Sequence, residues 1–286
     1  MPNSAKPLVV KAWGGEEPFV AEKLYASLMQ SGASAQDADR ITAQIASTFR
    51  GGESTRDIYA RAFTQLRSMA RPVAARYSIK HALLELGPSG YPFEDFLAAL
   101  FRARGYTTRT RTTHIGRCTS HEVDLVASTS NEMIMAEVKF HNSTGVKSDT
   151  KVALYVHARF QDIQAAPSFD PKSPMRPMLV TNTKCTQQAH EYASCAGLEL
   201  LTWESPRSGN LRMLIEEAGV HPVSCLTTLS RAHKRRLMET GVVLCKDLHD
   251  HPEVLEQFDL SERARGAIWN EIGELCTHMH GATNIS

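Results

Sequence analysis

Between residues 121 and 140 the chain alternates apolar and polar positions twice, with a polar run at Ser128–Glu132 in between. Period-two alternation predicts strands, so His121–Ala127 and Met133–Phe140 are read as a hairpin. Most of the remaining pattern has helical spacing. Val20, Leu24 and Leu28 predict a helix over Val20–Gln30, stopped by Gly32. Ala38, Ile41, Ile45 and Phe49 mark a second helix, opened by Ser34-Ala-Gln-Asp37. Ile58, Ala62 and Leu66 mark a third, opened by Ser54-Thr-Arg-Asp57. Pro72 suits the first turn of a fourth that runs to Leu86. Ahead of them, Leu8–Trp13 and Glu17–Phe19 form a short predicted hairpin turned by Gly14 and Gly15.

After Ser89 the two periods mix. Phe93, Phe96, Leu97, Leu100 and Phe101 line one face of a predicted helix, and Tyr106–Thr113 is extended. Beyond the central hairpin come a predicted helix Lys151–Gln164 (Val152, Tyr155, Val156 and Phe160 inward), a buried strand Met178–Thr181, a helix Thr186–Ala196 and a strand Leu198–Trp203. That order predicts an α/β layout with a mixed central sheet. From Arg207 onward the pattern is helical: Leu211–Ala218, Arg231–Thr240, Leu244–Leu248, and Leu255–Cys276 with Leu260, Ile268, Ile272 and Leu275 inward. The expected division is 1–88, 89–206 and 207–286, with hairpin-plus-helices, α/β and all-helical character in turn.

Composition narrows the class. With 286 residues, 42% hydrophobic and 22% charged, the chain is ordinary for globular protein. It has no apolar run of the ~20 residues a membrane span needs, and its first residues lack a signal-peptide pattern, so a cytoplasmic protein without a membrane partner is expected. Six scattered cysteines without CxxC spacing suit reduced thiols rather than a disulfide scaffold or a zinc site. Cys276-x-His278-x-His280 reads as a frayed tail. A net charge of +1 does not announce nucleic acid. Local clusters do offer phosphate contacts: Arg102, Arg104, Arg109, Arg111 and Arg117, then Arg231, Lys234, Arg235 and Arg236.

The candidate chemistry lies in the central hairpin. Asp124 sits in its first strand, and Glu137 and Lys139 sit two apart in the second, on one face. Two carboxylates beside an ammonium are costly to bury unless paired or bound to metal. Glu122 shares the strand face of Asp124 and is read as a solvated strand-end carboxylate; His121 is left without a role. Arg159 and Asp162 are read as a structural ion pair at i,i+3.

Phe93-Glu94, Gly105-Tyr106, Glu122-Val-Asp124-Leu-Val, Glu137-Val-Lys139 and Leu179-Val-Thr181-Asn182-Thr183, in that order, resemble the PD-(D/E)XK nucleases, and most closely the Mrr-like restriction endonucleases. The resemblance implies a mixed-sheet nuclease core over about 110 residues. It implies a metal-dependent DNA endonuclease of type IV restriction-like kind. Asp124 and Glu137 would bind Mg²⁺, with Mn²⁺ as a substitute. Lys139 would orient or help deprotonate the nucleophilic water, with Glu94 assisting from its helix. Hydrolysis of RNA, or a catalytically silent fold in a nucleotide-responsive DNA-binding or oligomerising protein, are the alternatives.

The first segment has its own resemblance. Val10-Lys11-x-x-Gly14, Glu17-Pro18-Phe19, Glu22-Lys23-Leu24, Ser54-Thr55-x-Asp57-Ile58 and Ala74-Ala75-Arg76-Tyr77 look like the ATP-cone, a nucleotide-sensing module. This implies ATP or dATP as a regulatory ligand. Lys11 and Lys23 would lie on the phosphates, with Glu17, Thr55 and His81 near base or sugar, and a homo-oligomer is expected. The family's second basic residue in the hairpin is replaced by Ala12, followed by Trp13, which is read as core. The basic helix–glycine–helix stretch around Gly241 faintly resembles a helix-hairpin-helix module, in which turn N–H groups bind phosphate. A GxxxxGK[ST] loop is absent, so ATP hydrolysis is not expected.

Overall fold

The computed structural model describes residues 7–11, 14–87, 89–170 and 174–276. Ala12, Trp13, His278 and His280, each given a reading above, lie outside the described residues.

Strands β1 (Leu8–Val10) and β2 (Glu16–Pro18) pair antiparallel, with Val9 opposite Glu17. Helices α1 (Ala21–Gln30), α2 (Ala35–Thr48), α3 (Thr55–Met69) and α4 (Arg71–Leu84) follow. The Ser34 hydroxyl accepts from the Asp37 N–H at the start of α2. Ser54 and Asp57 complete a capping box on α3, satisfying two backbone donors that would otherwise have no partner. The apolar stripes of α1 to α3 meet in one cluster that includes Leu28, Ile41, Ile45, Ala62 and Leu66.

Helix α4 is apolar around most of its circumference, and it is buried on two sides. Val73 and Ala74 face the cluster of α1 to α3. Ala75, Ile79, Ala82 and Leu83 join a second core shared with the central sheet and the C-terminal helices. A hydrogen bond from Ser224 Oγ to the Ala82 carbonyl, 2.8 Å, ties α4 to the chain after residue 220. Apolar packing therefore continues from α4 through the sheet into the last helices.

Helix α5 (Tyr91–Ala103) lays Phe93, Phe96, Leu97 and Leu100, each fully buried, on one face of a five-stranded sheet. Its strands are β3 (Thr107–Ile115), β4 (Ser120–Ser128), β5 (Met133–Lys139), then β7 (Met175–Thr181) and β9 (Glu199–Leu201), in spatial order β3-β4-β5-β7-β9. β3, β4 and β5 are antiparallel neighbours; β5, β7 and β9 are parallel, so the sheet is mixed. A two-residue pair, β6 (Lys147–Ser148) with β8 (Lys184–Cys185), lies beside it. α6 (Thr150–Gln164) and α7 (Gln187–Ala196) cover the other face, through Ala153, Val156, Phe160, Ile163, Ala189 and Ala193.

Three local expectations change. Tyr155, expected inward, is 53% exposed, because the stripe that meets the sheet runs through residues 153, 156, 160 and 163. The last strand is three residues long rather than six, since Thr202 and Trp203 leave the ladder and bond to Ser205 and Thr183. β1 ends at Val10, and Lys11, expected within it, lies outside the ladder.

The C-terminal part comprises α8 (Leu211–Ala218), α9 (Arg231–Glu239), α10 (Cys245–Asp250) and α11 (Glu262–Cys276), with short 3-10 turns at Val223–Cys225 and Pro252–Gln257. Buried Glu271 of α11 accepts from the N–H groups of Thr227 and Thr228 at 2.8 and 3.0 Å, which fixes the approach to α9. No helix among the described residues is long and apolar enough to cross a membrane.

Candidate active site

The β4–β5 ladder ends at Leu125 opposite Ala136. The next residues outward, Asp124 and Glu137, face each other where the two strands part. Both belong to the sheet face that α6 covers, on which Val126 and Met135 also lie. Asp124 turns one oxygen back to accept the Val138 N–H at 2.7 Å, bridging the strands at their divergence. Glu137 is only 7% exposed. Burial, and then the carboxylate of Asp124 beside it, push its pKa up to about 7, opposed by Arg159 and Lys139. Lys139, two residues on, is exposed.

Glu94 enters from the first turn of α5 and is buried. Burial raises its pKa; Arg111, 3.0 Å from its Oε2, opposes the rise, and Asp124 is close enough to add to it. Arg111 reaches it from an unusual backbone position, φ +53°, at the one place where the β3–β4 register skips a pair. Its other nitrogen lies 2.8 Å from Asp95. The four residues expected at the site are thus brought to one region: Asp124 and Glu137 adjoining, Lys139 next along β5, and Glu94 across from Asp124.

Arg159 and Asp162 do not form the expected ion pair. Arg159 pairs with Glu137 and donates to the Glu122 carbonyl at 3.1 Å. Asp162 instead accepts from the N–H groups of Cys118 (2.9 Å) and Thr119 (3.3 Å) and bonds His121 Nε2 at 2.8 Å. These donors, His121 first, hold its pKa down to about 2. The two side chains leave α6 toward different partners that lie far away in sequence. His121 therefore helps seat the β3–β4 turn on α6, and Glu122 is exposed. Gly116 permits that seating: a Cβ there would overlap the Asp162 carboxylate and lie 2.7 Å from the Thr119 oxygen. Asn182, in the segment after β7, clamps the end of β5 by bonding both the N–H (2.9 Å) and the carbonyl (2.7 Å) of His141. The contacts of Arg159, Arg111 and Asn182 join elements distant in sequence, and no local spacing signals them.

Among the described residues no three His, Cys, Asp or Glu side chains group as a metal site. Asp124 and Glu137 are two adjacent carboxylates, and the destabilisation of ionised Glu137 by its neighbour is what a cation would relieve. A hard divalent ion that takes one or two carboxylates and keeps its waters fits this donor set.

In the first segment, Lys11 and Lys23 converge on Glu17, at 2.6 and 3.2 Å from the same oxygen, and lower its pKa. Val10 bridges to Ser54, which places Thr55 at the base of that hairpin. His81, on α4, stacks on Tyr59 of α3 at 3.7 Å between ring centres and lines a cavity of about 430 Å³ with Arg76, Lys80 and Trp203. Around Gly241 the turn N–H groups are already used: those of Gly241 and Val242 bond to helix carbonyls, and those of Val243 and Leu244 to Asp247. The expected phosphate donors are spent within the turn.

Comparison with known proteins bears on this geometry. Residues 87–205 match the restriction endonuclease family model of Mrr catalytic type, and residues 221–276 match the AF1548-like C-terminal model. An uncharacterized protein of Archaeoglobus fulgidus is 32% identical over 152 residues, covering 53% of this chain and 83% of that protein. The chain belongs to the AF1548-like family. The crystal structure of AF1548, a protein of unknown function, aligns with a TM-score of 0.52 at 31% identity over 65% of this chain and 98% of that one. A repair endonuclease from Pyrococcus abyssi aligns at a TM-score of 0.31 and 14% identity, over 40% of this chain and 46% of that one, too distant to carry an argument. The segment that holds Glu94, Asp124, Glu137 and Lys139 is thus of restriction endonuclease type, as its sequence pattern led one to expect.

Proposed function

We propose that the chain is a metal-dependent endonuclease that hydrolyses DNA phosphodiester bonds, and that ATP or dATP binding to its first segment controls it. The observation that carries the catalytic reading is the meeting of Asp124, Glu137 and Lys139 where β4 and β5 part, inside a segment of restriction endonuclease type. Asp124 and Glu137 would hold Mg²⁺. When bound, the ion lowers the pKa of a water and polarises a phosphoryl oxygen. Lys139, exposed at the end of β5, can reach the attacking water and offset negative charge in the transition state. Glu94 is held by Arg111, where it can orient a water beside Asp124. A plasmid-nicking assay with Mg²⁺ tests this against Asp124→Ala and Lys139→Ala; equal cutting by all three proteins removes the reading. Including an RNA substrate decides between the two nucleic acids.

The regulatory part is supported by two ammonium groups held on one half-buried carboxylate, Glu17, at the edge of a hairpin that resembles the ATP-cone. A polyphosphate would exchange with that carboxylate for both lysines. Calorimetry with ATP and dATP should show binding that Lys11→Ala and Lys23→Ala each weaken. Light scattering with and without nucleotide then reports on assembly. Binding left intact by both substitutions would place any nucleotide elsewhere.

A further inference from the structure

Glu137 is not an open ligand here. Its buried carboxylate adjoins Asp124, and the cation that answers it belongs to the protein: Arg159, from the middle of α6. The guanidinium is well anchored. Nη1 also donates to the Glu122 carbonyl at 3.1 Å, the group lies 4.5 Å from the centre of the Tyr155 ring, and the side chain is only 13% exposed. Tyr155 stands one turn back on the same helix, which explains why an aromatic residue there is left out of the core. Arg159 Nε is buried without a hydrogen-bond partner, so the group is not held by its full set of donors.

Two carboxylates cannot both stay ionised at close range in a partly desolvated site unless a cation is present. A centre that binds its metal reversibly must meet that requirement in the metal-free state as well. We propose that Arg159 is the built-in counter-ion of the metal-free centre and competes with the divalent cation for Glu137. Its guanidinium, through Nη1, neutralises the carboxylate until the ion takes it. The guanidinium then remains on Tyr155 and the Glu122 carbonyl, ready to return. Arg159 is thus a positioning residue that sets how much metal the centre needs. The proposal rests on the metal-dependent reading above.

The test is Mg²⁺ binding by calorimetry without any substrate, at about pH 8.5, well above the carboxylate range. Removing one positive charge in contact with a metal ligand should tighten binding by about tenfold or more. Arg159→Gln is therefore expected to bind Mg²⁺ at least about tenfold more tightly than the parent, and Arg159→Lys close to the parent. Glu137→Gln should lose binding. If Glu137→Gln binds like the parent, the metal assignment fails and the proposal with it. If Glu137→Gln loses binding but Arg159→Gln binds no more tightly than the parent, the counter-ion proposal alone is overturned. Side-chain NMR on the parent covers the case in which Arg159→Gln does not fold. The Arg159 Nε resonance, identified by its absence from Arg159→Lys, should shift on saturation with Mg²⁺; an unmoved resonance overturns the proposal.

Discussion

Replacing His81 by phenylalanine removes one titrating group from the packed side of α4 while keeping a ring against Tyr59. Burial, then Lys80 and Arg56, push the imidazole from 6.5 down to about 4. Its Nδ1 is buried and has no partner, as suits a neutral ring. As pH falls, the unfolded chain takes up this proton near 6.5, whereas the folded chain refuses it until about 4. Stability present above the unfolded value is therefore lost through that window. The full difference is about 3 kcal/mol, of which about 2 kcal/mol acts at about pH 5. Urea unfolding followed by tryptophan fluorescence at about pH 7.5 and about pH 5 measures it, since Trp203 lines the same cavity. The parent should lose about 2 kcal/mol more than His81→Phe between the two conditions. Equal losses would mean that the ring is not held neutral, and the account of this cavity would fall with it.

The other expectations are more direct. Gly116→Ala should displace the β3–β4 turn from Asp162 at a cost of about 1–3 kcal/mol, read as a lowered thermal midpoint; an unchanged midpoint would show that the turn is not seated as described. Lys139→Ala should lower Mg²⁺-dependent cutting by about a hundredfold or more with the fold intact by circular dichroism, since it removes a group needed in the transition state but not in the core. Lys11→Ala should weaken ATP binding without changing the Mg²⁺ affinity of the nuclease segment, because Lys11 touches only Glu17 among the ion pairs of the described residues.

What could be read from the sequence was local. Alternation places β4 and β5, and period two alone puts Glu137 and Lys139 on one face of β5. Ser34 and Ser54 announce the helices they cap, because a cap depends on residues three apart. The order Glu94, Asp124, Glu137, Lys139 carried the nuclease resemblance, and the segment matches the restriction endonuclease model. Tertiary structure decided everything that depends on which distant elements meet. Arg159 and Asp162 stand three apart on α6 and satisfy the spacing for a pair. One goes to Glu137 on β5 and the other to the turn at Cys118 and Thr119, because the fold brings those partners within bonding distance of each side chain. α4 reads as one helix of a first bundle, yet most of its apolar surface belongs to the core shared with the sheet and the last helices. Hydrophobic periodicity says that a face is buried; only the packed chain says against what. For the same reason the sequence could name the carboxylates of the candidate centre, and only the fold could supply the arginine that answers them.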